Sequence, residues 1–147
     1  MRSRITTSRL LTMIHGATTF EEATAYHQTV PEPQFKDYLY ELMVKKELNP
    51  KDIIQRSGIE RSYFYHILNG NKHPGRNIII RIGLCMHASL QEINQLLRLA
   101  GLSGLYSRRK WDATIIYAIS KNFTMEETNH LLISEGEEPL YREDHNV

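Results

Sequence analysis

Asn49-Pro50-Lys51-Asp52-Ile53-Ile54-Gln55-Arg56-Ser57-Gly58-Ile59-Glu60-Arg61-Ser62-Tyr63-Phe64-Tyr65-His66-Ile67-Leu68-Asn69-Gly70 holds two helix starts and two helix stops in one short span. Asn49 can accept a hydrogen bond from the first N–H groups of a helix, and Pro50 suits the first helical position, where no N–H is needed. Gly58 stops that helix, since a residue without Cβ takes the left-handed conformation with least strain. The pattern predicts helices over Pro50–Ser57 and Arg61–Leu68, with Ile53 and Ile54 turned inward in the first. In the second, Phe64, Ile67 and Leu68 fall on the core side. Arg61, Ser62, Tyr65, His66 and Asn69 are then expected to face outward.

Working outward, Phe35, Tyr38, Leu39, Leu42 and Met43 follow the i, i+3, i+4, i+7, i+8 spacing of a core-facing helix that starts at Gln34 and ends near Leu48. On the other side, Asn69-Gly70-Asn71-Lys72-His73-Pro74-Gly75 reads as a turn. A helix over Asn77–Met86 follows. The next runs from Leu90 to Ala100, with Ser89 as its cap and Glu92 at the capping-box position. Towards the N-terminus, Pro31-Glu32-Pro33 is a stiff linker, because each proline disfavours helix in the residue before it. A weak helix, Ile5 to Ile14, precedes it, with Leu10, Leu11 and Ile14 on one side. A second short helix opens at Thr18 or Thr19, with Glu21 or Glu22 closing the box, and runs through Phe20, Ala23 and Tyr26. Strict strand alternation is not seen, so the expected class is all-α.

Two short helices joined at a glycine, the second with a polar outer face, make a helix-turn-helix. The major groove of DNA admits one α-helix, and side chains on that helix can pair with base edges. The run from Gly58-Ile59 through Ile67-Leu68-Asn69-Gly70, then Lys72 and Pro74, resembles the XRE (lambda repressor-like) family of DNA-binding domains. The likeness extends through Ile79, Ile82, Gly83, Leu84, Leu90 and Ile93, where that family packs its fourth and fifth helices. It implies a five-helix repressor-type domain between Phe35 and Ala100, working as a transcriptional regulator and a homodimer on double-stranded DNA. Position by position, it implies base reading by Arg61, Ser62, Tyr63, Tyr65 and His66, and phosphate contact by Asn69, Lys72 and Arg76. Two positions depart from the pattern. Pro50 stands where a Gln often opens the second helix, and Glu60 stands where Ser or Thr often opens the third. With the outward tyrosines, they keep a second reading open: a helix-turn-helix adaptor that binds protein and not DNA.

A repeat lies partly beyond this span. Ser89-Leu-Gln-Glu92-Ile-Asn94-Gln-Leu96-Leu97, with Gly101 and Leu105-Tyr106, recurs 35 residues later as Thr124-Met-Glu-Glu127-Thr-Asn129-His-Leu131-Leu132, with Gly136 and Leu140-Tyr141. Lys110 to Lys121 reads as a helix before the second copy, with Trp111, Ile115, Ala118 and Ile119 as its apolar face. Repeated helical pairs usually stack to share a core. The expected organisation is therefore an N-terminal helical arm and linker over 1–33, a helix-turn-helix domain over 34–105, and a helical extension over 106–147 that repeats the fourth and fifth helices. The extension is expected either to hold a dimer contact, protein partner or effector, or simply to enlarge the core.

Charge sharpens the expectation of a polyanionic partner. The 147 residues sum to +1, but Arg56, Arg61, Lys72, Arg76 and Arg81 stand against Glu60 alone in residues 56–81. Residues 106–123 carry +3 and residues 124–147 carry −6. A basic band with an acidic tail fits a protein that meets nucleic acid on one side. It equally fits ordinary solvated faces.

Other chemistries find little support. The single cysteine, Cys85, sits among Ile82, Leu84 and Met86 and reads as a small core residue, with nothing to argue for secretion. The seven histidines lack metal-ligand spacing, and His66 is the one with an expected role. Gly101-Leu-Ser-Gly104 lacks the lysine and strand of a phosphate cradle. No nucleophile elbow is present. An enzyme, a cofactor, a metal and a membrane span are therefore not expected. The basic start Met1-Arg2-Ser3-Arg4 is followed by no secretory signal pattern, so a cytoplasmic protein is expected.

Overall fold

A computed structural model describes residues 7–29 and 32–142. Met1-Arg2-Ser3-Arg4, Ile5, Pro31 and one of the seven histidines, His145, lie outside the described residues, as does the side chain of Tyr26. Among the described residues the secondary structure is entirely helical: α1 Thr7–His15, α2 Phe20–Thr29, α3 Phe35–Lys45, α4 Pro50–Ser57, α5 Arg61–Leu68, α6 Arg76–Cys85, α7 Leu90–Leu99, α8 Lys110–Ser120 and α9 Met125–Ser134. None of these helices is long and apolar enough to cross a membrane.

The chain divides into two units, residues 1–33 and 34–147. In the first, α1 and α2 pack on each other. Thr19 Oγ1 accepts the Glu22 N–H at 3.1 Å, and the Glu22 carboxylate in turn accepts from Thr18 N at 3.2 Å and Thr18 Oγ1 at 2.9 Å. None of the side chains described there is buried. Leu11 is 53% exposed and Phe20 79%, so the shielded side of α1 is Leu10, Met13 and Ile14, not the expected Leu10, Leu11 and Ile14.

The second unit has one apolar core running from Leu39 in α3 to Leu140 beyond α9. Helix α3 packs on α5 and α7, α4 on α5 and α6, and α6 on α7 and α9, while α8 bridges α7 and α9. Phe64, Ile67 and Leu68 are buried, as is Ile53, while Ile54 is half-buried. The residues after 105 contribute Ile115, Met125, Leu132 and Leu140 to that same core. Residues 34–105 and 106–142 therefore share one apolar core.

One hairpin plan is used three times. Glu47, His87 and Asn122 are non-glycine residues at positive φ (56°, 51° and 55°), each just past a helix end. After each comes an apolar residue whose N–H bonds back to the helix: Leu48 to Met43 O, Ala88 to Gly83 O and Phe123 to Ala118 O, at 2.9, 3.0 and 3.0 Å. Next is the N-cap of the following helix, Asn49, Ser89 or Thr124, closed into a capping box by Asp52, Glu92 or Glu127. The 35-residue repeat contains two of these corners, and α3–α4 is a third, with a shorter second helix.

Asn94 and Asn129 explain why the repeat keeps an asparagine and a Leu-Tyr landing. Asn94 Oδ1 accepts the Leu105 N–H at 2.8 Å, and Asn129 Oδ1 accepts the Leu140 N–H at 2.7 Å. Each amide pins the chain that returns after the helix, so a backbone donor, part-buried at Leu105 and buried at Leu140, is satisfied without regular structure.

Candidate nucleic-acid interface

Helix α5 is short and is positioned from both ends. At its start, the Glu60 carboxylate accepts hydrogen bonds from Ser62 N at 3.2 Å and Tyr63 N at 3.1 Å. Its charge thus rests on the helix N-terminus, where the dipole favours an anion. At its end, Gly70 has φ of 80°, and the N–H groups of Asn71 and Lys72 both bond to His66 O, at 2.9 and 3.2 Å. The Asn71–Lys72 backbone is thereby tied to the last turn of α5, and Pro74 is buried beneath the loop.

The inner face of α5 is fixed by Phe64, Ile67 and Leu68, which leaves Arg61, Ser62, Tyr65, His66 and Asn69 exposed on the other side. The Arg61 guanidinium lies 5.6 Å from the Tyr65 ring centroid. That stacking is worth about 0.5–1 kcal/mol at an exposed site, so the arginine can leave it for a stronger acceptor. Lys72 and His73 are also exposed, beyond the helix end. Together these groups offer guanidinium, ammonium, imidazole, amide and hydroxyl donors along one ridge, the donor types that pair with base edges and phosphates.

Two sequence-expected site residues do not join the ridge. Tyr63 is half-buried and packs against the core, because its place on the helical wheel lies beside Phe64's inner stripe. Arg76 is the larger correction. Its guanidinium makes a two-pronged pair with Asp112 (3.1 and 2.8 Å) and donates to the carbonyls of Ser103 and Gly104 (3.0 and 2.8 Å). Asp112 is 1% exposed and also accepts the Tyr106 N–H at 2.8 Å. Burial pushes the Asp112 carboxyl up, but Arg76, the Tyr106 N–H and nearby Arg109 outweigh it and hold it below the usual carboxylate range. Arg76 is therefore a fastener between α6, the α7–α8 connection and α8.

The same holds for two further members of the basic band. Arg56 donates to Cys85 O at 3.2 Å, at the end of α6, and Arg81 donates to Ser57 O at 2.7 Å with its guanidinium 5.2 Å from the Tyr141 ring centroid. Of the five basic residues in 56–81, Arg61 and Lys72 remain for an external partner. Cys85 is buried, and that burial raises its thiol to about 11, which makes it a poor nucleophile. Among the described residues no group of three or more His, Cys, Asp or Glu side chains could hold a metal ion.

Lys36 is the residue that sequence reasoning passed over. It lies in the first turn of α3, and its Cδ comes within 3.2 Å of where a Cβ on Gly70 would be. With Asn69, Lys72 and His73 it lines one open cleft at the C-terminal end of α5. No local spacing announces this, since the proximity arises only when α3 packs on α5. A scan of protein-family models, a search of curated proteins and a search of solved structures each returned no match to the chain.

Proposed function

We propose that α4 and α5 form a repressor-type helix-turn-helix and that α5 enters the major groove of double-stranded DNA, making the protein a sequence-specific transcriptional regulator. The observation that carries this reading is the division of α5 into a buried apolar stripe and an exposed ridge of donors, with Lys72 and Lys36 at its end. The Glu60 cap supports it, because a carboxylate bonded to helix N–H groups no longer counts fully against phosphates. Arg61 is assigned to a base edge, with Ser62, Tyr65 and His66 beside it, and Asn69, Lys72 and Lys36 to phosphates. The reading includes a homodimer on two half-sites about one helical turn apart.

A protein partner is favoured by a different observation. Tyr40 and Val44, one turn apart on α3, are 53% and 71% exposed. One experiment separates the two readings. The full chain is titrated against random duplex DNA by fluorescence anisotropy at rising salt, followed by selection of bound sequences. Binding that weakens steeply with salt and enriches a common sequence supports the regulator. Lys72→Ala should then weaken all sequences alike, whereas Arg61→Ala should also relax the preference at one base pair. Absence of binding even at low salt removes the DNA reading and leaves the adaptor.

A further inference from the structure

We infer that the turn carrying Arg108 and Arg109 is a second phosphate clamp, which extends the DNA footprint beyond α5 onto the flanking backbone. This deepens the DNA reading and rests on it.

Arg76 sits at the first position of α6, directly after the loop that bears Lys72 and His73. Its guanidinium grips the carbonyls of Ser103 and Gly104 on one side of residues 107–110 and the Asp112 carboxylate on the other. Asp112 in turn holds the Tyr106 N–H, and Arg109 N donates to Tyr106 O at 3.0 Å. These anchors fasten residues 103–112 to the start of α6 and so bring the turn alongside the loop that follows α5. Arg109, Lys110, Asn77 and Arg76 line one shared cleft.

The exposed charge of the turn then needs a reason. Arg108 and Arg109 are exposed, and neither makes a side-chain hydrogen bond or ion pair among the described residues. Lys110 is different: its ammonium donates to Glu135 O at 3.2 Å and lies 3.8 Å from the Glu135 carboxylate. Glu137 and Glu138 line the far rim of the cleft, so the cleft itself is not an anion pocket. Arg109 shares that cleft with them and its charge also acts on Asp112, whereas Arg108 is not among the residues that line it. On this inference, an extended polyanion that passes Lys72 continues to Arg108 and Arg109. Guanidinium groups suit this role, since they match phosphate oxygens with paired donors.

The test uses the Arg108→Ala/Arg109→Ala double variant beside the wild type, with affinity for one duplex measured across a salt series. Each phosphate contact contributes roughly 0.9 to the slope of log affinity against log salt. The variant should therefore lose about 1.8 from the slope, with the selected base sequence unchanged. Lys121→Ala is the control for bulk charge. It removes a cation at the opposite end of α8, about 16 Å along the axis, and should leave the slope as it was. A wild type that binds DNA with a slope unaltered in the double variant overturns the clamp alone. An equal loss in Lys121→Ala also overturns it, as a general charge effect. A wild type that binds no duplex overturns the DNA reading and the clamp with it.

Discussion

Replacing Arg76 by methionine would keep most of the aliphatic stem and remove the guanidinium, together with four hydrogen bonds. The carbonyls of Ser103 and Gly104 belong to exposed residues and can turn to water. The Asp112 carboxylate cannot, since its residue is 1% exposed and its remaining partner is the Tyr106 N–H. Breaking a buried pair by removing one partner costs about 3–5 kcal/mol. The Arg76 side chain is 20% exposed, which moves the expectation to the lower end, about 3 kcal/mol. Urea unfolding followed by the fluorescence of Trp111, the single tryptophan, reads this locally, because the Arg76 guanidinium lies 5.9 Å from its ring centroid.

The pH dependence gives a second check. A carboxyl held below its unfolded value stabilises the fold at pH above that value, about 3.9, and the contribution is lost as pH falls through the folded value. In the methionine variant burial is no longer opposed by Arg76, so Asp112 takes up a proton more readily. The stability gap between the two proteins should be widest at pH 7 and close towards pH 3. Adding Asp112→Asn to the variant should recover much of the loss, because no charge is then left buried. A gap below about 1 kcal/mol at pH 7, or one that does not change with pH, would falsify the fastener.

Three further outcomes follow from the packing. A Cβ at Gly83 would lie 2.6 Å and 2.9 Å from Cγ1 and Cδ1 of fully buried Ile93, so Gly83→Ala should lower the melting temperature. The overpacking cost of about 1–3 kcal/mol opposes a helix-propensity gain of about 1 kcal/mol, and a raised melting point would contradict the tight α6–α7 approach. Asn129→Ala should cost about 1–3 kcal/mol by leaving the buried Leu140 N–H unpaired, and Asn94→Ala should cost less because Asn94 is only half-buried. Chemical denaturation that ranks the two asparagines the other way would refute that account of the repeat. Burial disfavours the Glu92 charge, yet the Ser89 N–H and the Lys45 and Lys46 ammonium groups hold its carboxyl at about 2. That stabilisation should fade as pH falls from about 4.5 to about 2, and urea midpoints of wild type and Glu92→Gln should converge over that window.

Helix ends were readable because their causes are local. Asn49, Pro50 and Gly58 delimit α4, and Ser89 with Glu92 opens α7, through bonds that reach no more than a few residues. The repeat was readable for a related reason: Asn94 and Asn129 each hold a chain segment 11 residues on, close enough to leave a pattern in one stretch of sequence. The third corner, Glu47-Leu48-Asn49, escaped notice because its asparagine and aspartate fill the places of serine or threonine and glutamate. Function was less readable, because charge counted along a chain does not say where it points. Arg56, Arg76 and Arg81 look like Arg61 and Lys72 in sequence, yet they are held by partners 29, 36 and 24 residues away. Each of those partners belongs to another element of the same body. The basic band is therefore largely an internal joint that ties α4 and α6 to the segments after them. On the proposed DNA reading, Lys36 and the Arg108–Arg109 turn, both remote from α5 in sequence, add to Arg61 and Lys72. For that reason the salt slope, which counts contacts wherever they arise in the chain, is a sharper measure of this interface than any single substitution on α5.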